Sequence, residues 1–237
     1  MSNGVTDLGT ALKALALLVH YPSQEAVASA DAIGEALEGR DELTTEDQEV
    51  LAGFLEQLRT KDLLDQEAEY VATFDSGKQV SLHLFEHIHG ESRDRGPAMV
   101  ELRMAYRERG LELDANELPD YLPLVLEFCA QLPEPAAQEW LADIGHILQR
   151  IHVRLDQRDD RYALPLRLLL RLAAVDPWPA ELLVEAQEER RDDTREAIDN
   201  AWDEAPVSFG AGDALASCGV AAGGAGTNPA GQGPGHV

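Results

Sequence analysis

Three of the seven histidines stand in one short run, His83-Leu-Phe-Glu-His87-Ile-His89. On a helix His83 and His87 share a face at the i,i+4 spacing that zinc sites use, and Glu86 or Glu91 could add an acid. The zinc-peptidase pattern needs Glu directly after the first His, where Leu84 stands, and on a helix His89 faces elsewhere. The run therefore reads first as hydrogen-bonded histidines ordering a helix end or a groove wall. A metal-dependent helical hydrolase using His83 and His87 is the alternative. Just downstream, Glu91-Ser-Arg-Asp-Arg95 offers Arg93 and Arg95 as a pair able to clasp a carboxylate or the polar rim of a partner. A solvated loop is the other reading of that run.

A second constellation is Glu117-Leu-Pro119-Asp120-Tyr121-Leu122-Pro123. Pro119 sets the chain extended before a helix, Asp120 can cap that helix, and Pro123 is tolerated only within its first turn. So rigid an entry controls where Tyr121, Leu122 and Phe128 point. No glycine-rich phosphate loop, nucleophile elbow or paired-cysteine metal motif is present. Cys129, between Phe128 and Ala130, reads as a core residue. With 44 acids in the chain, a pair of carboxylates carries no signal for acid–base catalysis. No catalytic activity and no cofactor are expected.

The elements that hold these runs are helical. Leu8, Leu12, Leu15 and Val19 recur at helical spacing after Thr6–Asp7 until Pro22, and Ser23 can cap a second helix through Leu37. Thr45-Glu-Asp-Gln48 resembles a capping box opening a third helix to about Arg59. A fourth runs from Asp62 to Phe74, with Leu64, Ala68, Val71 and Phe74 as its apolar stripe. Val80 to Gly90 fits a strand and a helix equally, and Pro97 to Arg109 is helical again. Asp120 opens a helix towards Leu132. Beyond Pro133 and Pro135, Trp140, Ile144, Ile147, Leu148, Ile151 and Leu155 fall on one stripe of a single helix. Arg161 to Ala174 carries Leu on several sides, as a central helix does. Ala180 to Ala205 holds ten acids against three Arg, in one or two amphipathic helices.

The whole chain of 237 residues has room for one domain of ~100–200 residues with a tail. Residues 210–237 hold nine Gly and seven Ala with one charge, too little apolar surface to offset the entropy of ordering. The expectation is an all-α, single-domain bundle of about eight to ten helices over residues 1–209, followed by a disordered tail. With 19 basic residues against 44 acidic ones, the formal charge is −25. Such a field repels nucleic acid and anionic membrane surfaces, so neither is expected as a partner. Two cysteines suit a reducing compartment, and no signal peptide or spanning apolar run is visible, so the cytoplasm is the expected location.

Three stretches carry a family resemblance. Ser81-Leu-His-Leu-Phe-Glu-His-Ile-His-Gly-Glu-Ser-Arg-Asp-Arg-Gly96, Glu117-Leu-Pro-Asp-Tyr-Leu-Pro123 and Arg161-Tyr-Ala163 closely resemble the nitrate reductase delta subunit. That is the NarJ-type molybdenum cofactor assembly chaperone, within the TorD/DmsD group of redox-enzyme maturation proteins. Tyr121 stands where the wider group usually has His. The resemblance implies a non-catalytic cytoplasmic chaperone that binds the apo catalytic (alpha) subunit of respiratory nitrate reductase at its basic, amphipathic N-terminal segment. It would act until molybdenum cofactor and iron–sulfur cluster are inserted, and then leave. Contact with cofactor-synthesis proteins is a further expectation, and a generic helical adaptor a further alternative. The partner-binding residues implied are His83, Phe85, His87, Arg93, Arg95, Glu117, Pro119, Asp120 and Tyr121. The two segments that hold them are expected to lie close together and to border an apolar groove with an acidic rim.

Overall fold

The computed structural model describes residues 7–90, 92–113 and 117–202. The glycine- and alanine-rich tail and the end of the expected domain lie outside the described residues. The described residues up to Asn200 belong to one compact unit. The described residues form thirteen helices and no strand: α1 (Leu8–Val19), α2 (Gln24–Ala28), α3 (Ala30–Leu37), α4 (Thr45–Thr60), α5 (Leu63–Phe74), α6 (Leu84–His89), α7 (Arg95–Glu108), α8 (Leu122–Cys129), α9 (Glu134–Asp143), α10 (Gly145–Asp156), α11 (Ala163–Leu172), α12 (Ala180–Glu188) and α13 (Arg195–Trp202). None of them is long and apolar enough to cross a membrane.

The centre of the compact unit is built from α1, α8, α10 and α11. Asp7 caps α1 by accepting the Thr10 N–H at 2.7 Å, and eight of the twelve residues of α1 are buried. Gly9 lets α1 meet the end of α8 closely, because a Cβ there would lie 2.5 Å from the Ala130 carbonyl oxygen. In α11 every residue except Arg171 is buried, including the Arg167 side chain, which matches the leucine distribution around it. Helix α10 packs along α11 and carries α12, which buries no residue of its own.

Several elements differ from the sequence-based expectation. The second helix breaks at Ser29 into α2 and α3, and the long striped helix breaks at Ile144, where Gly145 lets Val175 approach. Those breaks and the short α6 raise the count above eight to ten. The capping box sits one residue earlier than read: Thr44 is the cap, and Asp47 answers by accepting the Thr44 N–H at 3.0 Å. On α5 the buried face is Gln66, Tyr70 and Phe74, while Leu64 and Val71 are exposed. Asp120 does not cap the helix that follows it. Helix α8 is entered through Tyr121 with no side-chain cap, and the Asp120 carboxylate serves α6 instead.

One network ties α4 to α11. The Asp47 carboxylate lies 2.8 Å from Arg167 Nε and 3.5 Å from Arg171 Nε, and both guanidinium groups also face the Trp178 ring. Asp47 is buried, so these cations replace the water it has lost.

Candidate partner-binding site

The two polar segments singled out in the sequence meet through their backbones. His83 pairs with Tyr121 in an isolated antiparallel bridge. On either side, the Leu122 N–H donates to the Leu82 carbonyl at 2.8 Å, and the Leu84 N–H donates to the Asp120 carbonyl at 3.0 Å. The ambiguity of Val80 to Gly90 is resolved accordingly: one extended residue pairs, and α6 starts immediately after it.

Asp120 is the hub of this crossing. It is fully buried, and its Oδ2 accepts the Phe85 N–H at 3.0 Å, satisfying a free donor in the first turn of α6. Arg95 Nη2, from the first residue of α7, stands 3.7 Å from Oδ2, and His83 Nδ1 stands 3.4 Å from Oδ1. Arg95 also reaches Glu86 at 3.3 Å. A single carboxylate thus joins the starts of α6, α7 and α8. Pro119 is equally structural, since its carbonyl accepts the buried Tyr106 hydroxyl at 2.7 Å.

Beneath the crossing lies an aromatic layer. The Tyr70 hydroxyl donates to the Val19 carbonyl at 3.2 Å and accepts from the Tyr121 hydroxyl at 2.8 Å. Burial pushes the Tyr121 phenol up to about 12 and that of Tyr70 further still, so both stay neutral donors. The Tyr121 ring also meets His83 and the edge of His20, at 5.5 and 5.8 Å between centroids.

The nine expected residues therefore divide. Pro119, Asp120 and Tyr121 are buried and set the geometry; Arg93 and Glu117 are exposed, and His83, Phe85, His87 and Arg95 are half-buried. His87 lines a cavity of 350 Å³ beside α10 and α12, and none of the nine lines a second cavity, of 660 Å³, between α4 and α5. Exposed Ile88 and Leu118 add apolar surface beside the polar residues. Tyr70, Tyr106 and His20 were missed by the sequence reading. The i,i+4 spacing of Gln66, Tyr70 and Phe74 is the signal for the first, and the more hydrophobic Leu64 and Val71 mask it.

His83 and His87 do not converge. His87 Nε2 donates to the Ser81 carbonyl at 2.8 Å while His83 faces Asp120. Among the described residues no group of three His, Cys, Asp or Glu side chains is placed to hold a metal ion. The two imidazoles are expected to titrate on opposite sides of the ordinary value of about 6.5. The Asp120 carboxylate at Nδ1 raises His83, against desolvation and with help from Glu86. Burial lowers His87, and Arg154 and Arg150 add to that, against the bond to Ser81. His83 therefore stabilises the fold fully below pH ~6.5 and loses that contribution as the pH rises through its raised value. His87 acts oppositely, subtracting stability as the pH falls below ~6.5. Histidine NMR titration checks this, and coincident midpoints would contradict the geometry.

The nitrate reductase delta subunit family model matches residues 40–166, which include both segments. The molybdenum cofactor assembly chaperone of nitrate reductase, NarJ, from Escherichia coli K12 is 45% identical over 192 residues, covering 81% of each chain. The protein of the same name from Escherichia coli O157:H7 matches to the same extent. A solved chain from Archaeoglobus fulgidus aligns with a TM-score of 0.47 at 20% identity, over 71% of this chain and 95% of that one, too distant to carry an inference. A family match that spans the crossing, with 45% identity to a relative over 81% of the chain, leaves one conclusion: this chain belongs to the nitrate reductase delta subunit family.

Proposed function

We propose that this protein is an assembly chaperone for respiratory nitrate reductase. It binds the apo catalytic subunit at its N-terminal segment while molybdenum cofactor and iron–sulfur cluster are inserted, and is absent from the mature enzyme. The observation that carries the reading is 45% identity, over 192 residues, to a protein named as a molybdenum cofactor assembly chaperone of nitrate reductase. The family is one of assembly chaperones rather than catalysts. In this reading residues 1–209 form the chaperone domain and the cytoplasm is its place of work, with the cofactor-synthesis proteins as further contacts.

The site geometry supports a binding role. Asp120, Tyr121 and Pro119 spend their polar atoms inside the fold, as positioning groups do. In this reading the partner meets His83, Phe85, His87, Arg93, Arg95 and Glu117, all at least partly exposed, with Ile88 and Leu118 as apolar contacts. An amphipathic partner segment fits such a surface, and the charge of −25 favours a basic one. Deleting the gene for this protein is expected to leave the catalytic subunit synthesised but without molybdenum, and nitrate reduction lost. Full metal content and activity in the deletion strain would reject the proposal.

A further inference from the structure

Helix α12 lies on α10 without burying a residue of its own. It starts after Pro179 with no side-chain cap, and its nine residues fall short of the ~12–15 that an isolated helix needs to hold in water. The space beneath it is imperfectly filled. A cavity of 350 Å³ opens at its start, between His87, Ile147 and Leu182, and one of 210 Å³ at its end, between Arg154, Arg158 and Ala186. Between the two, Val153 of α10 shares a small gap with Leu182 and Ala186. Val153 is buried yet stands outside the central apolar cluster, so its cover is α12 rather than the core.

The chain on either side of α12 is held far more firmly. Before it, the Trp178 N–H donates to Asp176 at 3.0 Å and Nε1 donates to Asp156 at 3.1 Å, while the ring faces Arg167, Arg171 and His152. After it, Arg154 donates to both Glu189 oxygens at 2.8 and 3.0 Å, and Asp192 accepts the Lys78 and Gln79 N–H groups at 2.6 and 2.9 Å. Arg158 pairs with Asp193 at 3.0 Å with only 9% and 5% of the two side chains exposed, so salt screens that pair little.

Along α12 itself the hold is weak. Arg150, Arg154 and Arg158 form one row on α10, and they face Glu185, Glu189 and Asp193, which are also four residues apart. The rung under α12 is the one open to water: Arg150 and Glu185 stand 3.5 Å apart with 45% and 48% of their side chains exposed. An exposed pair at that distance adds little. Gln157 Nε2 adds a donor to the Leu183 carbonyl at 3.3 Å. A segment with few buried apolar contacts, set between two firm anchors, opens before its surroundings do.

We propose that α12 is a lid. It lifts from α10 between its two anchors while the bundle stays folded. Lifting joins the two cavities into one groove, floored by Ile147 and Val153 and with His87 at its end. Only the use of that groove rests on the chaperone reading, in which it gives the partner segment an apolar floor beside His87.

The test follows the full-length Val153→Cys, Cys218→Ser protein as it reacts with dithiodipyridine, an uncharged thiol reagent. Cys129, buried on α8, is the internal reference, because its thiol is reached only when the bundle itself opens. The thiol introduced at position 153 is expected to react about a hundredfold faster than Cys129. Adding Glu185→Gln should raise the ratio of the two rates by roughly threefold, because it removes the charge from the rung under α12. Equal rates overturn the lid, and so does a ratio that Glu185→Gln leaves unmoved. Should the substituted protein melt early, hydrogen exchange of the wild type decides. The α12 amides should exchange as one unit and faster than those of α10 and α11, and exchange in step with α11 rejects the proposal. No partner enters either measurement, so a failed lid leaves the chaperone reading standing.

Discussion

Replacing Asp47 by Ala is expected to destabilise the protein by about 3–5 kcal/mol, the range for breaking a buried ion pair from one side. For a domain near two hundred residues that corresponds to a melting temperature lower by roughly 10 °C. Asp47 accepts from the Thr44 N–H and hydroxyl at 3.0 and 2.8 Å and balances Arg167 and Arg171. Alanine would remove the α4 capping box and leave the buried Arg167 with only the Trp178 ring, 5.7 Å away. Arg171 is less demanding, because 30% of its side chain reaches solvent. Asp47→Asn keeps an oxygen for Thr44 and loses only the charge, so it should fall between wild type and Asp47→Ala. Thermal and urea unfolding followed by circular dichroism measure the difference. A loss below about 1 kcal/mol, the scale of a helix cap alone, would show that the two arginines are not held by this carboxylate.

The second large effect is expected at Asp120. Asp120→Ala strips the acceptor from the Phe85 N–H and the counter-charge from His83 and Arg95. Both partners are partly exposed, at 32% and 26% of their side chains, so the expected loss is about 2–3 kcal/mol, below that at Asp47. The carboxylate holds the entries of three helices, so partner binding should fall with stability. Asp120→Asn separates the roles. Its amide oxygen can still receive the Phe85 N–H, but its NH₂ would turn towards His83 or Arg95. In either variant the midpoint of His83 should move down, because the group that raises it is gone. Unchanged urea stability in Asp120→Ala, or an unmoved His83 midpoint, would contradict the hub geometry.

Asp120 also illustrates what a local reading misses. In the sequence it stands one residue before a helix, where an aspartate caps its own chain, and the inference to α8 follows from propensity. The structure sends its side chain 35 residues back to the Phe85 N–H. Capping chemistry was legible, but its recipient was not, because a free N–H takes whichever buried oxygen packing brings near. The same holds for Tyr70 and Tyr121, whose hydroxyls meet across 51 residues. It holds for Arg161 as well, which is quoted among the family-like residues but meets the Phe54 ring only in the folded chain.

The sequence by itself determined the helical class, most helix starts, the central place of α11 and the family. Those properties are written in short-range terms: apolar spacing, prolines, cap residues such as Asp7 and Ser23, and contiguous motifs. Tertiary structure alone decided where long helices break, which face of α5 is buried and what the polar motifs bind. Tyr70 displaces the more hydrophobic Leu64 from the interior because its ring packs on Phe74 and Tyr162 while its hydroxyl finds Val19 and Tyr121. Burial rewards the side chain whose shape and polar atoms are both satisfied, and residues distant in the chain supply that satisfaction.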